Sequence, residues 1–309
     1  ELSIGLPRHA AKRFEHVLKV RPTKLALWVF LGQARYAQRQ YAKALSALRR
    51  GEKLGKHLVG YWLLRARCLL AQKDNARAIA VLSRAYRSLP KAHQLLREKA
   101  IVLAEMQLFS AAKDVGLRYL ARVPKDPYGY LLVGEALRRA GAHRSAISIF
   151  ERALLRFPKR TDLMRRLAYS YAHERQHGTA ARLFSKAARF GADAHYEAAE
   201  QYRLAGHFRR ALQHNGKVSR KDRRLRQRLA IAVAAQRWSL AAALVADMKT
   251  AGIRDDTTRY LCAIALLRAG QPKQAKMLAQ AIETSSYAVS AKRLTAACDR
   301  CERDSRYCH

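Results

Sequence analysis

Small and apolar residues return along this chain at a fixed step. Alanine stands at Ala10, Ala44, Ala78, Ala112, Ala146 and Ala180, each 34 residues after the one before. Between these markers the apolar residues fall three and four apart, as in Leu25, Trp28, Leu31 and Gly32, then Tyr41, Ala44 and Leu48. That spacing is the period of a helix, not the alternation of a strand. Each step therefore predicts two amphipathic helices. Small residues at Gly32, Ala66, Ala100, Gly134 and Ala168 let the two helices of a pair approach closely. Prolines keep the same step at Pro22, Pro90, Pro124 and Pro158, where each ends a second helix and turns its predecessor toward extended backbone. Such a unit buries its apolar face only by stacking on its neighbours, so the pattern predicts an all-α solenoid of helical hairpins.

The hairpins are placed at 25–58, 59–92, 93–126, 127–160, 161–191, 192–221, 222–255 and 256–285. Residues 1–24 supply only a second helix, with Ala10, Phe14, Val17 and Pro22 in register; either this is a cap or the array once continued upstream. A start at Glu1 in place of Met suggests a processed or trimmed product. Residues 286–309 predict a capping helix, in which Tyr287, Val289, Leu294 and Ala297 cover the last apolar edge, and a cysteine-rich tail.

These positions resemble the tetratricopeptide repeat. Its pattern is visible in Trp28, Leu31, Gly32 and Ala44, and again in Tyr130, Gly134, Leu137, Ala146, Phe150, Ala153 and Pro158. In the last unit Pro272 stands where the family has an aromatic. The resemblance implies a right-handed superhelix of about eight repeats, with ligands, usually peptides, lying on the side lined by the first helices. Carried over residue by residue, that groove presents Tyr36, Arg67, Arg97, Tyr128, Arg138, Arg139, Arg165, Tyr169, Tyr196, Arg203 and Tyr260, and its cations also include Arg223, Arg226 and Arg268. Glu105, Glu135, Asp162, Asp193 and Glu200 are its acids. The chain is also similar, more distantly, to the tetratricopeptide domains of bacterial exopolysaccharide export and secretion proteins, which implies a periplasmic or outer-membrane setting.

Charge changes the picture next. The chain carries 61 lysines and arginines against 23 acids, a net charge of +38. This excess favours anionic partners without choosing among acidic proteins, anionic glycans and nucleic acid. One cation per unit recurs on the second helices at Arg50, Arg84, Arg118, Arg152, Lys186 and Lys217. The densest run, Lys217, Arg220, Lys221, Arg223, Arg224, Arg226 and Arg228, holds one acid, Asp222, and is placed in an exposed turn that could dock an acidic partner. A basic groove would favour a polyanion; a balanced groove with basic backs would favour a peptide. No apolar run approaches the roughly 18 residues of a membrane span.

Cys68 and Cys262 occupy apolar helix positions and read as buried thiols. Cys298, Cys301 and Cys308 with His309 could hold zinc, or Cys308 could enter a disulfide in an oxidising compartment. No nucleophile elbow, phosphate-cradling glycine loop or dinucleotide fingerprint is present. Glu105 and Glu135 sit beside Arg138 and Arg139 and read as salt-bridged groove residues. The expectation is a non-catalytic adaptor without a cofactor, holding a peptide or acidic protein. Handling of an acidic exopolysaccharide is the alternative, and an RNA-binding solenoid ranks third.

Overall fold

The structure, a computed structural model, describes residues 7–191 and 193–308. Among the described residues it is all-α: nineteen α-helices and one 3-10 turn, with no strand. Its contacts gather into two compact units, Glu1–Phe157 and Pro158–His309.

The first unit opens with α1 (Pro7–Val20) and continues in four hairpins. These are α2 (Leu25–Ala37) with α3 (Tyr41–Arg50) and the short α4 (Glu52–Gly55); α5 (Val59–Ala71) with α6 (Asn75–Ser88); α7 (Gln94–Glu105) with α8 (Phe109–Arg122); and α9 (Pro127–Arg139) with α10 (His143–Arg156). The second unit pairs α11 (Thr161–His173) with α12 (His177–Arg189), α13 (His195–Leu204) with α14 (Phe208–Asn215), α15 (Lys221–Ala234) with α16 (Trp238–Thr250), and α17 (Asp256–Arg268) with α18 (Pro272–Gln280). It closes with α19 (Ser285–Arg303) and the turn Ser305–Cys308. Pro272 does not break its helix; it begins it, in the first turn where a missing N–H costs nothing.

The alanine lattice is the core of every hairpin. Ala44, Ala78, Ala112, Ala146 and Ala180 are fully buried, and Ala10 nearly so. The small positions on the first helices are matched by bulk on the second. A Cβ added to Gly32 would lie 2.7 Å from Leu48, and one added to Gly134 would lie 2.4 Å from Phe150. Where the second helix itself has Gly116, Val133 of the next hairpin fills the space, 2.5 Å from where a Cβ would stand.

Two devices join the helices. Pro90 and Pro124 each follow a second helix by two residues, and the residues before them, Leu89 and Val123, leave helical geometry at ψ 68° and 66°. The aromatic near the start of a first helix then donates back to the preceding turn, Trp28 to the Pro22 carbonyl at 2.9 Å and Trp62 to the Lys56 carbonyl at 3.0 Å. Tyr130 donates likewise to the Pro124 carbonyl at 3.3 Å. The turn inside each hairpin carries one left-handed residue: Arg39, Lys73, Gln107 and Gly141 in the first unit, Arg175, Gly206, Gln236 and Gly270 in the second.

The ends differ in part from expectation. In α1, Ala10, Ala11 and Leu18 pack on Leu31, Ala34 and Ala47, while Val17, read as inward, is largely exposed. In α19, Leu294 and Cys298 close the apolar face made by Leu266, Leu267 and Ala275. Val289 does not contribute; it points to solvent. No helix among the described residues is long and apolar enough to cross a membrane.

Candidate functional site

In the first unit the groove residues divide between packing and surface. Tyr36 is half-buried beside Tyr41, ring centroids 5.7 Å apart, and belongs to the core. Arg67 is exposed. Arg97 reaches Glu98 at 3.6 Å and Asp126 at 4.0 Å, and its Nε is buried without a hydrogen-bond partner. Asp126 caps α9 through the Tyr128 N–H and accepts the Tyr119 hydroxyl at 2.5 Å; burial first, then this carboxylate, push the Tyr119 hydroxyl up to about 12. Tyr128 is 60% exposed. Glu135 takes Arg138 at 2.7 Å and Arg139 at 3.2 Å, as expected, and Glu105 is exposed.

The second unit gathers its groove residues across three successive first helices. Arg165 on α11 reaches Glu197 of α13 at 3.4 Å, and the Tyr169 hydroxyl donates to the same carboxylate oxygen at 3.3 Å. The Tyr169 ring stands edge-on to buried Phe184, 5.0 Å between centroids, which fixes its direction. On α13, Tyr196 lies under the Arg223 guanidinium of α15 at 5.8 Å. Its backbone carbonyl accepts from Gln227 at 2.8 Å. Gln227 and Asn215 are both buried and bonded at 3.2 Å, and Asn215 donates to the Arg224 carbonyl. This polar bridge locks α13, α14 and α15 in register, a role the sequence did not signal. Arg226 pairs with Asp255, the N-cap of α17, at 3.2 Å. Arg203 is held within α13 by Glu200 at 3.0 Å, and Asp162 by Arg160. Tyr260 packs on Tyr287 at 5.4 Å, and Asp193 is exposed. Arg268 covers Trp238 at 5.8 Å.

The basic run is not a loop. Lys217 and Arg220 precede α15, but Lys221, Arg223, Arg224, Arg226 and Arg228 lie on it, because Leu225 and Leu229 supply the buried stripe and arginine is a good helix former. Its cations point to different partners. Arg220 reaches Asp222 at 3.0 Å, Arg223 covers Tyr196, Arg224 donates to the Val218 carbonyl at 3.3 Å, and Arg226 holds Asp255.

On the second helices, Arg50 lies 4.7 Å above Trp28 and Arg84 5.9 Å above Trp62, so two of the repeated cations cover indole rings. Arg118, Arg152, Lys186 and Lys217 are exposed.

The zinc reading of the tail is corrected. Cys301 and Cys308 are joined in a disulfide, which removes both as thiolate ligands. His309 lies outside the described residues. Cys298 is a buried free thiol, and no cluster of three metal-ligating side chains occurs among the described residues. Cys68 and Cys262 are buried as expected, and burial pushes their thiols up to about 11 and about 12.

A family model described as tetratricopeptide repeat matches residues 63–127 and 131–195, and one described as anaphase-promoting complex, cyclosome, subunit 3 matches residues 8–85. No curated protein sequence matches the chain. Among solved structures, MamA from Desulfovibrio magneticus RS-1 is similar at 21% identity and a TM-score of 0.48, over 54% of this chain and 94% of its own. YrrB, described as a TPR protein with an unusual peptide-binding site, is similar at 16% identity and a TM-score of 0.48, over 64% of this chain and 98% of its own. With the 34-residue lattice and the eight hairpins in hand, residues 63–127 and 131–195 are tetratricopeptide repeats.

Proposed function

We propose that the chain is a non-catalytic scaffold that holds a peptide segment of a partner protein along the first helices α11, α13 and α15. One observation carries this reading: each of these helices presents an aromatic or an arginine already fixed by a neighbour. Tyr169 and Arg165 converge on Glu197, Tyr196 lies beneath Arg223, and Arg226 is tied to Asp255. Tyrosine and arginine dominate binding energy at protein interfaces, offering flat apolar area and directed donors. Side chains held before the ligand arrives lose less entropy on binding.

Charge balance favours a peptide over a polymer. Along this face Arg165, Arg223 and Arg226 stand against Glu197 and Asp255, and Arg203 is matched by Glu200. A polyanion gains by meeting unmatched cations, and here most are already engaged. An acidic exopolysaccharide or RNA therefore fits this face less well. The proposal extends to an oxidising setting, such as a cell-envelope assembly or secretion system. The Cys301–Cys308 disulfide supports it, since such bonds persist outside reducing cytosol.

The test is selection of peptides from a displayed random library on the full chain. Selected peptides are expected to lose at least tenfold in affinity on Tyr196→Ala and on Arg165→Ala. Peptides that bind these variants as tightly as the parent would refute the assignment.

A further inference from the structure

A cleft of ≈ 500 Å³ opens in the first unit between the second helices α3 and α6, floored by α5. Five arginines line it: Arg49, Arg65, Arg77, Arg84 and Arg87. On α6 the residues Arg77, Ala80, Val81, Arg84 and Arg87 follow one face, because steps of three, four, seven and ten residues stay on one side of a helix. Arg49 belongs to α3 and Arg65 to α5, so no single hairpin builds the site.

The guanidinia are held in place, but their charge is not met. Arg65 and Arg84 lie 5.5 and 5.9 Å from the ring of buried Trp62, and Arg65 donates to the Tyr61 hydroxyl at 3.0 Å. Both reach one oxygen of Glu52, at 3.5 and 3.4 Å. A strong arginine–carboxylate contact is about 2.7–2.9 Å, so these two forks are underused. Arg77 pairs with Asp74. Arg49 and Arg87 make no ion pair with any described residue. Five cations thus share two carboxylates.

We propose that this cleft is a docking site for a short acidic peptide segment of a partner protein, separate from the first-helix face of the second unit. Glu52 shows that a carboxylate seats between two of the guanidinia. Leu45, Leu69 and Val81 line the same cleft and give an apolar residue of the segment somewhere to lie. Trp62 is only 1% exposed, so no aromatic face is open to stack a base. The ten-residue span from Arg77 to Arg87 is about 15 Å of helix, matching about four or five residues of extended chain.

The test is fluorescence anisotropy of a fluorescein-labelled peptide of sequence EELDEE on the full chain. Saturable binding is expected, weakened at least tenfold by Arg49→Glu with Arg87→Glu, both exposed positions. Charge reversal of Lys19 and Arg122, elsewhere in the same unit, is expected to change it less than threefold. Glu52→Gln frees two guanidinia and should tighten binding severalfold, a gain that misfolding does not produce. The proposal is overturned if the peptide does not bind at millimolar concentration. It is also overturned if both double variants weaken binding equally, if Glu52→Gln does not strengthen it, or if polyphosphate at equal charge displaces the peptide more readily than unlabelled peptide does.

Discussion

Replacing Gly134 by alanine sets helix propensity against packing. Gly134 lies in the interior of α9, where alanine is intrinsically better by about 0.5–1 kcal/mol. An added Cβ, however, would meet Cε1 and Cζ of Phe150 at 2.4 Å. Carbon atoms rest about 3.5–4.0 Å apart, so the ring must move by about 1 Å. Phe150 is fully buried, and overpacking of this kind costs about 1–3 kcal/mol. Gly60, also helical and in the same unit, has nothing within 4 Å of its added Cβ. Calorimetric unfolding of the full chain should therefore show Gly134→Ala melting lower, at about 2–4 °C per kcal/mol for a unit of this length. Gly60→Ala should melt at or above the parent. Adding Phe150→Leu to Gly134→Ala should cost less than the two single losses summed, because the smaller side chain makes room for the methyl group. Should Gly134→Ala melt at or above the parent, the close approach of α9 and α10 would be wrong, and the hairpin register with it.

Three further outcomes follow from the geometry. His214 lies 3.0 Å from His195, nitrogen to nitrogen, bonded to Ser185 and stacked on Tyr202. Burial first, then His195, Lys217 and Arg189, push it down to about 4 from 6.5. The unfolded chain takes up this proton as pH falls through 6.5 while the folded chain refuses it until about 4, so stability present above pH 6.5 is lost across that window. Urea titrations should show His214→Gln with a shallower loss over that range; an unchanged slope contradicts the assignment. At the hairpin turns, Gly141→Ala should lower the unfolding free energy by about 1 kcal/mol, while Arg175→Gly, at φ 57°, should be neutral or stabilising. A reversed order would mean those turns are not left-handed. Alkylation of the denatured, unreduced protein should label three of the five cysteines, Cys68, Cys262 and Cys298; labelling of all five contradicts the Cys301–Cys308 bond.

The hairpins were legible because Ala44, Ala78, Ala112, Ala146 and Ala180 do the same packing job in each repeat, and identical demands leave identical residues. The turns were not, although they repeat just as regularly. Their left-handed position carries Arg39, Lys73, Gln107, Arg175 and Gln236, more often than glycine, so the backbone demand leaves no fixed residue type. The basic run was misplaced because charge density suggested a loop, whereas Leu225 and Leu229, four apart, hold it on a helix. The register of Tyr169 and Tyr196 assigns them to first helices, but their partners Glu197 and Arg223 come from the next hairpin, a pairing that no local pattern carries. The arginine cleft was hidden for the same reason, since three helices of two hairpins build it. Three tail cysteines allow three pairings, and only the fold of the last turn selects one.

The most direct test of the scaffold reading is site-specific photocrosslinking in the cells that make the protein. A photoreactive phenylalanine analogue at position 196 of α13 should yield one dominant protein adduct, lost when Arg165 is also replaced by alanine. The same analogue at position 186 of α12 should yield none. Adducts from position 186 alone, or from neither position, would contradict the account.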